Sequence, residues 1–216
     1  MDTIRFAADN IPLILYLTFQ HVTIVGVAVG LAILTGVPIG IAITQNKRAA
    51  EIVLYAAAVV MTIPSVALFG ILMPVLSLIG QGIGYLPAVV AVLLYSQLPI
   101  IRNTYTAILN VDPALREAAR GMGMTPRQRL WRVEIPLAVP VIMAGVRVAV
   151  VINIGITAIA TYIGAGGLGT LISRGISQTD PRQLVTGAVM VSLLAVLADY
   201  GLLWMQRRLT PAGIRV

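Results

Sequence analysis

The chain has 216 residues, of which 58% are hydrophobic and only 11% are charged, and its mean hydropathy is +0.94. A soluble domain of this length could not hide so much apolar surface, so the composition predicts an integral membrane protein. The net charge of +7 does not indicate nucleic-acid binding, because the basic residues are dispersed between apolar runs and form no continuous basic face.

The N-terminal half contains three predicted transmembrane helices, because its uncharged runs are long enough to cross a bilayer. Residues 22–46 carry no charge and form the first span. Residues 52–101 also carry no charge, and since this run is about twice one span, it must fold back at the glycine-rich residues 80–84. We therefore predict spans over residues 52–79 and 84–106. Pro64 and Pro74 predict a kink in the former, or two helical pieces.

The segment 112–136 is an arginine-rich polar island between apolar runs. Asp112 is suited to cap a short helix that begins at Pro113. Gly123 supplies a flexible stop, and Thr125 with Gln128 predicts a capping box that starts a second short helix. At about 1.5 Å per residue, the first helix is far too short to span a bilayer. The sequence therefore predicts a helix, a glycine elbow and a second helix outside the membrane.

The C-terminal part supplies two further predicted spans, 136–159 and 183–206, each with one ionisable residue near mid-depth. A charge there costs about 2.5–3.5 kcal/mol on insertion scales unless it finds a partner. The depths of Arg147 and Asp199 differ by only about 6 Å, so we expect these two side chains to pair. The alternative is that Arg147 faces a wet path and acts on the solute. Between the spans, the glycine-rich stretch 161–182 must be packed in protein or line a wet cavity.

The distribution of lysine and arginine predicts the orientation. With the N-terminus outside, three basic residues, Arg5, Arg174 and Arg182, lie in outer segments, and Arg147 lies within the membrane. The other eleven fall in inner segments: Lys47, Arg48, Arg102, Arg116, Arg120, Arg127, Arg129, Arg132, Arg207, Arg208 and Arg215. This bias places the polar island in the cytoplasm. The sequence thus predicts one all-α membrane domain, residues 1–216, with five main transmembrane helices.

The polar island carries a spaced motif, which consists of Glu117, Ala118, Ala119, Gly123, Val133, Ile135 and Pro136. This motif resembles the EAA loop of ATP-binding-cassette importer permeases, although that pattern prefers isoleucine and leucine where this chain has Val133 and Ile135. Residues 97–105, QLPIIRNTY, and residues 163–169, IGAGGLG, are similar to osmoprotectant permeases for glycine betaine, carnitine and choline. The resemblance implies the type I importer permease fold in a bacterial or archaeal cytoplasmic membrane.

The resemblance implies that the loop is a coupling helix held in a cleft of a cytoplasmic ATPase. The expected coupling residues are Glu117, Ala118, Ala119, Gly123, Arg127, Trp131 and Pro136. Ala118 and Ala119 are small and apolar, so we expect both to insert into a groove of the partner. Gly123 permits the turn between the two short helices.

The resemblance also implies transport of a compatible solute with a quaternary ammonium group. Aromatic faces attract such cations, so Tyr95, Tyr105 and Tyr162 are candidates for lining the path, although tyrosines near span ends also serve as interfacial belt residues. Asn153 is a further path candidate. We expect the outer gate in the glycine-rich stretch, at Gly164, Gly166, Gly167 and Gly169.

The expected partners are two copies of the ATPase, a second permease that is identical or related, an extracytoplasmic solute-binding protein and membrane lipids. The chain lacks a P-loop, because its one lysine, Lys47, lies outside any such motif, so ATP and magnesium are expected on the ATPase. With one histidine and no cysteine, no metal, cofactor or catalytic site is predicted and the chain is not expected to be an enzyme. The alternatives are a permease for another small solute, such as an amino acid, and a non-transporting membrane adaptor.

Overall fold

The computed structural model describes residues 2–210, and every regular element within that range is helical. The α-helices of this range are α1 (Asp2–Asp9), α2 (Ile11–Ala42), α3 (Lys47–Thr62), α4 (Ser65–Ser77), α5 (Tyr85–Leu109), α6 (Pro113–Gly121), α7 (Pro126–Arg129), α8 (Ile135–Ile159), α9 (Gly169–Ser177) and α10 (Pro181–Leu209). Short 3₁₀ segments, Ile43–Gln45 and Ala160–Ile163, follow α2 and α8, and a π-helical turn, Leu130–Glu134, joins α7 to α8. The predicted all-α class is confirmed.

The centre of the molecule is formed by α2, α5 and α8, which pack through small residues. A Cβ built on Gly40 of α2 would lie 2.7 Å from Thr104 of α5, and one on Gly145 of α8 would lie 2.6 Å from Asn103. Only glycine fits at such contacts, and glycine lets helix backbones in a membrane protein approach closely. The result is a tight three-helix core on which the other elements are arranged.

Helices α3 and α4 form a broken pair that meets at an angle of 102°. Pro64 has no backbone N–H and disfavours helical geometry in Ile63, which is extended with a ψ angle of 125°. The Ile63 carbonyl, which loses its helical partner at this break, accepts a hydrogen bond from the Tyr95 hydroxyl of α5. Of the two predicted outcomes, a kink or two pieces, the structure has two pieces.

Within residues 2–210, four helical segments are long and apolar enough to cross a membrane, and the α3–α4 pair provides a fifth if it is one broken span. This agrees with the five predicted spans, but the borders differ. Helix α2 begins at Ile11, whereas the predicted first span begins at residue 22, because His21 is fully buried and hydrogen-bonded and therefore does not end the apolar helix. Arg215, counted above among the inner residues, lies outside the described residues.

The predicted capping of the two short helices is confirmed. Asp112 accepts a hydrogen bond from the Ala114 amide at 2.8 Å, and Thr125 and Gln128 form a reciprocal capping box. Gly123 lies between the two helices with a φ of +77°, a left-handed conformation that favours glycine. The chain leaves and re-enters the helical core at the same end, through α5 and α8.

At the opposite end, Asp180 caps α10 by accepting a hydrogen bond from the Arg182 amide at 3.0 Å. The side-chain hydrogen bond from Arg182 lowers the pKa of the Asp180 carboxyl from 3.8 to about 2. Because the pKa in the folded state is depressed, the contribution of this cap is complete above the ordinary pKa and declines as the pH falls towards 2. The cap therefore remains charged in moderately acidic surroundings.

Candidate functional site

The cytoplasmic loop, residues 112–136, exposes most of the residues that the sequence predicts for coupling, with one exception. Glu117 and Ala118 on α6 and Arg127 on α7 are exposed, and Trp131 in the π-helical turn has 62% of its surface free. Ala119 is only 1% exposed, because it faces the chain itself. The expectation that both alanines enter a groove of a partner is therefore corrected: in the structure only Ala118 is free to do so.

Two further apolar side chains extend this exposed surface. Leu115 of α6 is 45% exposed and Met122, next to the elbow, is 70% exposed. Pro136 lies in the first turn of α8, directly after the π-helical turn. Together with Trp131, these residues give the loop an apolar surface outside the membrane, a feature typical of a protein–protein contact.

Arg147 and Asp199 are brought together within the membrane-spanning part of the molecule. Arg147 Nε donates to Asp199 Oδ1 at 2.9 Å, and Arg147 Nη2 donates to Asp199 Oδ2 at 2.9 Å. Such a two-point contact is the strongest form of an arginine–carboxylate pair. The guanidinium also donates to Gln206 Oε1 at 3.1 Å, and Gln206 Nε2 donates to the Pro140 carbonyl at 3.0 Å. The network ties α10 to α8 and uses all three nitrogens of Arg147.

The glycine-rich loop, residues 163–169, follows α8 and is in contact with three other parts of the chain, α8, the α4–α5 turn and α2. Gly166 and Gly167 have φ angles of +76° and +80°, and a Cβ on Gly169 would overlap the Ala158 carbonyl. On another side, the Gly84 amide donates to the Ile163 carbonyl at 2.8 Å, which connects the loop to the turn between α4 and α5. The loop therefore accepts no side chain at these glycines without rearrangement.

The third side of the loop is held by two residues of α2. Gln20 Oε1 accepts from the Gly167 amide at 3.1 Å, and His21 Nδ1 accepts from the Leu168 amide at 3.3 Å. His21 Nε2 lies 3.0 Å from the Ile154 carbonyl of α8, so the ring is a neutral tautomer that accepts at Nδ1 and donates at Nε2. His21 thus bridges α2, α8 and the glycine-rich loop.

The path candidates divide by burial. Tyr95 is 4% exposed and its hydroxyl is bound to Ile63, so it does not line a surface of this chain. Asn153 is fully buried and donates to Ser96 Oγ at 2.8 Å. Tyr105 is partly buried against Ile43 and Ala50, whereas Tyr162 is 62% exposed. In this structure Tyr95 and Asn153 are packing positions and do not reach a surface, and of the three candidate tyrosines Tyr162 has the most exposed aromatic face.

Sequence reasoning missed several residues of these sites. Gln206 follows Asp199 by seven residues, two helical turns, and this spacing places both on one face of α10. Gln20 and His21 gave no local signal, because their partners lie 147 residues away in the chain. Glu134, an acid two residues before Pro136 in a loop rich in arginine, is 6% exposed and paired with Arg116 and Arg129. The signal that the sequence offered for Glu134 is an acidic residue directly before a predicted span.

Two grooves among the membrane helices offer little to a charged solute. A groove of about 540 Å³ between α2, α8 and α10 is lined by apolar side chains and glycines, among them Gly26 and Gly30. A second one, of about 410 Å³, lies beside Arg147 and Asp199, but those charges already satisfy one another. Within residues 2–210 there is no group of three or more side chains able to hold a metal ion.

Comparison with known proteins agrees with these features. The family model described as "binding-protein-dependent transport system inner membrane component" matches residues 14–212. The chain is 57% identical to the osmoprotectant import permease protein OsmW of Salmonella typhimurium, over the whole length of both proteins. It is 42% identical to the choline transport system permease protein OpuBB of Bacillus subtilis, over 98% of this chain and 95% of that one.

Among solved structures, the fold is similar to that in an inward-facing form of the MetNI methionine ABC transporter. The TM-score is 0.84 at 23% sequence identity, and the match covers 93% of this chain and 98% of the other. At this identity the likeness concerns the fold.

Proposed function

The chain belongs to the family of binding-protein-dependent transport system inner membrane components, and from this premise we propose that it forms half of the path for a quaternary ammonium osmoprotectant. As a member of this family it is a permease subunit of an ATP-binding-cassette importer, located in the inner membrane, and not an enzyme. An importer permease works with an ATPase and a solute-binding protein.

The single observation that carries the solute class is the end-to-end likeness to osmoprotectant permeases. The identity of 57% spans the whole of this chain and the whole of its Salmonella typhimurium relative. A second relative, 42% identical, is a glycine betaine/carnitine/choline transport system permease protein of Bacillus subtilis. The solutes named for these relatives share a quaternary ammonium group, which favours glycine betaine, choline or carnitine for this chain.

The proposed surface for the ATPase is the exposed part of the cytoplasmic loop. It combines Ala118, Met122 and Trp131 with the charges of Glu117 and Arg127. An apolar centre with charged residues at its edge is the usual composition of a protein–protein contact. Two ATPase copies, one for each permease half, would bind ATP and magnesium, whereas this chain supplies the contact.

The proposed outer gate is the glycine-rich loop, held by Gln20, His21 and the turn at Gly84. Its hydrogen bonds connect α2, α8 and the α4–α5 turn, so a movement of any of these elements would act on the loop. Tyr162, exposed at the start of this loop, is the aromatic residue placed to meet a quaternary ammonium group. Specificity for the solute is expected to lie largely in the binding protein.

The second half of the path is proposed to be another permease, identical or related. The Arg147–Asp199 pair retains partial exposure, 23% for Arg147 and 35% for Asp199, on the surface of the membrane-spanning part. Ionisable groups in transmembrane segments normally face a bundle interior or a wet cavity. This surface is therefore expected to face the second half or the path, not the lipid chains.

Uptake of radiolabelled glycine betaine, in cells that lack their own osmoprotectant importers, tests the proposed solute. Cells that carry the permease with its ATPase and binding protein are expected to accumulate the label, more so at high salt, and unlabelled choline or carnitine should compete. Cells with the partner subunits but without the permease are the control. Uptake of an amino acid without competition by glycine betaine would show that the proposed solute is wrong. Absence of any uptake would favour the alternative of a non-transporting adaptor.

A further inference from the structure

A cluster of three charged residues, a buried acid and two partly buried arginines, connects the cytoplasmic loop to the membrane helices. Glu134, at the end of the π-helical turn, is 6% exposed. Its Oε1 lies 2.8 Å from Arg129 Nε and 3.5 Å from Arg116 Nε. The two arginines come from different short helices, Arg116 from α6 and Arg129 from α7. We call Arg116, Arg129 and Glu134 the Glu134 junction.

The junction also reaches the end of α5. The Arg116 guanidinium donates to the Ile108 carbonyl and lies 3.5 Å from the Leu109 carbonyl, at the last turn of that helix. Carbonyl groups at a helix C-terminus lack helical partners and carry partial negative charge, so a cation is stabilising there. One arginine of α6 thus contacts α5 through carbonyls and the start of α8 through Glu134.

The π-helical turn and the Arg129–Glu134 pair depend on each other. In an α-helix, residues five apart differ by about 500° of rotation, which leaves their side chains about 140° apart around the axis. A π-helical turn closes its hydrogen bonds over five residues and so brings such residues to nearly the same side. The π geometry therefore favours the observed Arg129 to Glu134 contact, and the contact in turn offsets the poorer hydrogen bonding of that turn. Pro136, which has no N–H to donate within a regular α-helix, acts in the same direction.

We propose that Glu134 is a positioning residue for energy coupling, which holds α6, the end of α5 and the start of α8 together as one mechanical unit. This rests on the proposed function, because it takes the exposed loop as the contact for the ATPase. A push on α6 would pass to α5 through Arg116 and to α8 through Glu134 and the π-helical turn. Loss of the carboxylate leaves Arg116 and Arg129 without their shared partner and removes the ion-pair link from α6 to the start of α8, whereas the contacts of Arg116 with the α5 carbonyls remain.

The test measures solute molecules transported per ATP hydrolysed, in the complete importer reconstituted in vesicles. Glu134→Ala is expected to lower this ratio by about tenfold while the ATPase still co-purifies, since charge-assisted contacts of this kind account for changes of that order. Glu134→Gln, which keeps the volume and one acceptor, should fall between the wild type and Glu134→Ala. Glu134→Asp, which restores the charge, should recover part of the ratio. Glu51→Gln, an exposed acid at the cytoplasmic end of α3, is the matched control.

The outcomes separate this inference from the proposed function. The ratio is measured with whichever solute the wild-type importer transports, so a wrong solute assignment leaves the coupling test intact. A wild-type ratio in Glu134→Ala and Glu134→Gln would overturn the inference. Failure of both variants to assemble with the ATPase would also overturn it, because Glu134 would then act in folding alone. If only Glu134→Ala fails to assemble, the ratio of Glu134→Gln decides.

Discussion

The Arg147–Asp199 pair shows how one contact makes two unfavourable residues acceptable within a membrane. Each charge alone costs about 2.5–3.5 kcal/mol on insertion scales, whereas the pair forms two hydrogen bonds and gains a third through Gln206. The network engages each of the three nitrogens of Arg147 in a hydrogen bond within the chain. The structure therefore favours pairing over the alternative that Arg147 acts directly on the solute.

Removal of one partner of this pair should be worse than removal of both. Arg147→Ala and Asp199→Ala each leave an unpaired charge. Each is expected to lower the free energy of unfolding of the detergent-solubilised protein by about 2.5–3.5 kcal/mol. The double variant should recover part of the loss. Arg5→Ala is the control, because Arg5 and Asp9 are 3.9 Å apart and mostly exposed. A double variant no more stable than either single variant would contradict the pairing account.

At the glycine-rich loop, a side chain is excluded by conformation as well as by space. Gly166 and Gly167 have positive φ angles, and a Cβ on Gly166 would lie 2.5 Å from Gln20 Oε1. Gly166→Val and Gly167→Val should therefore abolish uptake and still co-purify with the ATPase, because the cytoplasmic loop is at the other end of the molecule. Gly70→Val, where a Cβ meets nothing within 4 Å, is the control. Normal uptake by both loop variants would reject the gate assignment.

Sequence patterns located functional segments better than functional side chains. The capping residues Asp112 and Thr125 were predictable, because a cap depends on neighbours two or three residues away. The burial of Ala119 and Tyr95 was not predictable, because it depends on distant elements. Tyr95, for example, is fixed by a carbonyl 32 residues earlier in the chain, at a break caused by Pro64.

At the scale of whole elements, α2 carries two GxxxG pairs with different surroundings. Gly36 and Gly40 pack against Ile100 and Thr104 of α5, whereas a Cβ on Gly26 or Gly30 would meet nothing within 4 Å. The spacing alone predicts a surface for close helix approach in both cases. Only the fold shows that the first pair lines an open groove and that the second pair is already occupied.

This difference predicts opposite effects for the same substitution on one helix. Gly40→Ala places its Cβ against the Thr104 side chain and the Ile101 carbonyl, and should destabilise the protein by about 1–3 kcal/mol through overpacking. Gly26→Ala should be neutral or slightly stabilising, because alanine has the higher helix propensity. Thermal unfolding in detergent compares the two. Equal losses of stability would show that α2 does not pack against α5 as described.

Helix borders and irregular turns were the least predictable elements. The predicted first span started after His21, because an ionisable residue commonly marks a membrane surface. In the fold, partners on α8 and the glycine-rich loop satisfy that ring, so the helix continues through it. Likewise, the residues Leu130–Glu134 do not by themselves distinguish a π-helical turn from an α-helix, and only Pro136 after them signals an irregular helix.

For the molecule as a whole, the fold class was predictable from the length of the apolar runs, whereas the orientation taken from the charge bias stays a prediction. The orientation gives a direct prediction, since the chain has no cysteine to interfere with labelling. Ile83→Cys, 67% exposed between α4 and α5, should react with a membrane-impermeant maleimide from outside intact cells. Gly121→Cys, exposed at the end of α6, should react only in inverted vesicles. Labelling of Gly121→Cys from outside would reverse the topology.

We propose that this permease couples ATP hydrolysis on a partner to the uptake of a quaternary ammonium osmoprotectant. The most direct measurement is accumulation of radiolabelled glycine betaine in vesicles that contain the purified complex, with binding protein added on one side and ATP on the cytoplasmic side. Accumulation is expected to require both ATP and the binding protein, and choline or carnitine should inhibit it. Accumulation without ATP, or ATP-dependent accumulation of an amino acid with no response to glycine betaine, would contradict it.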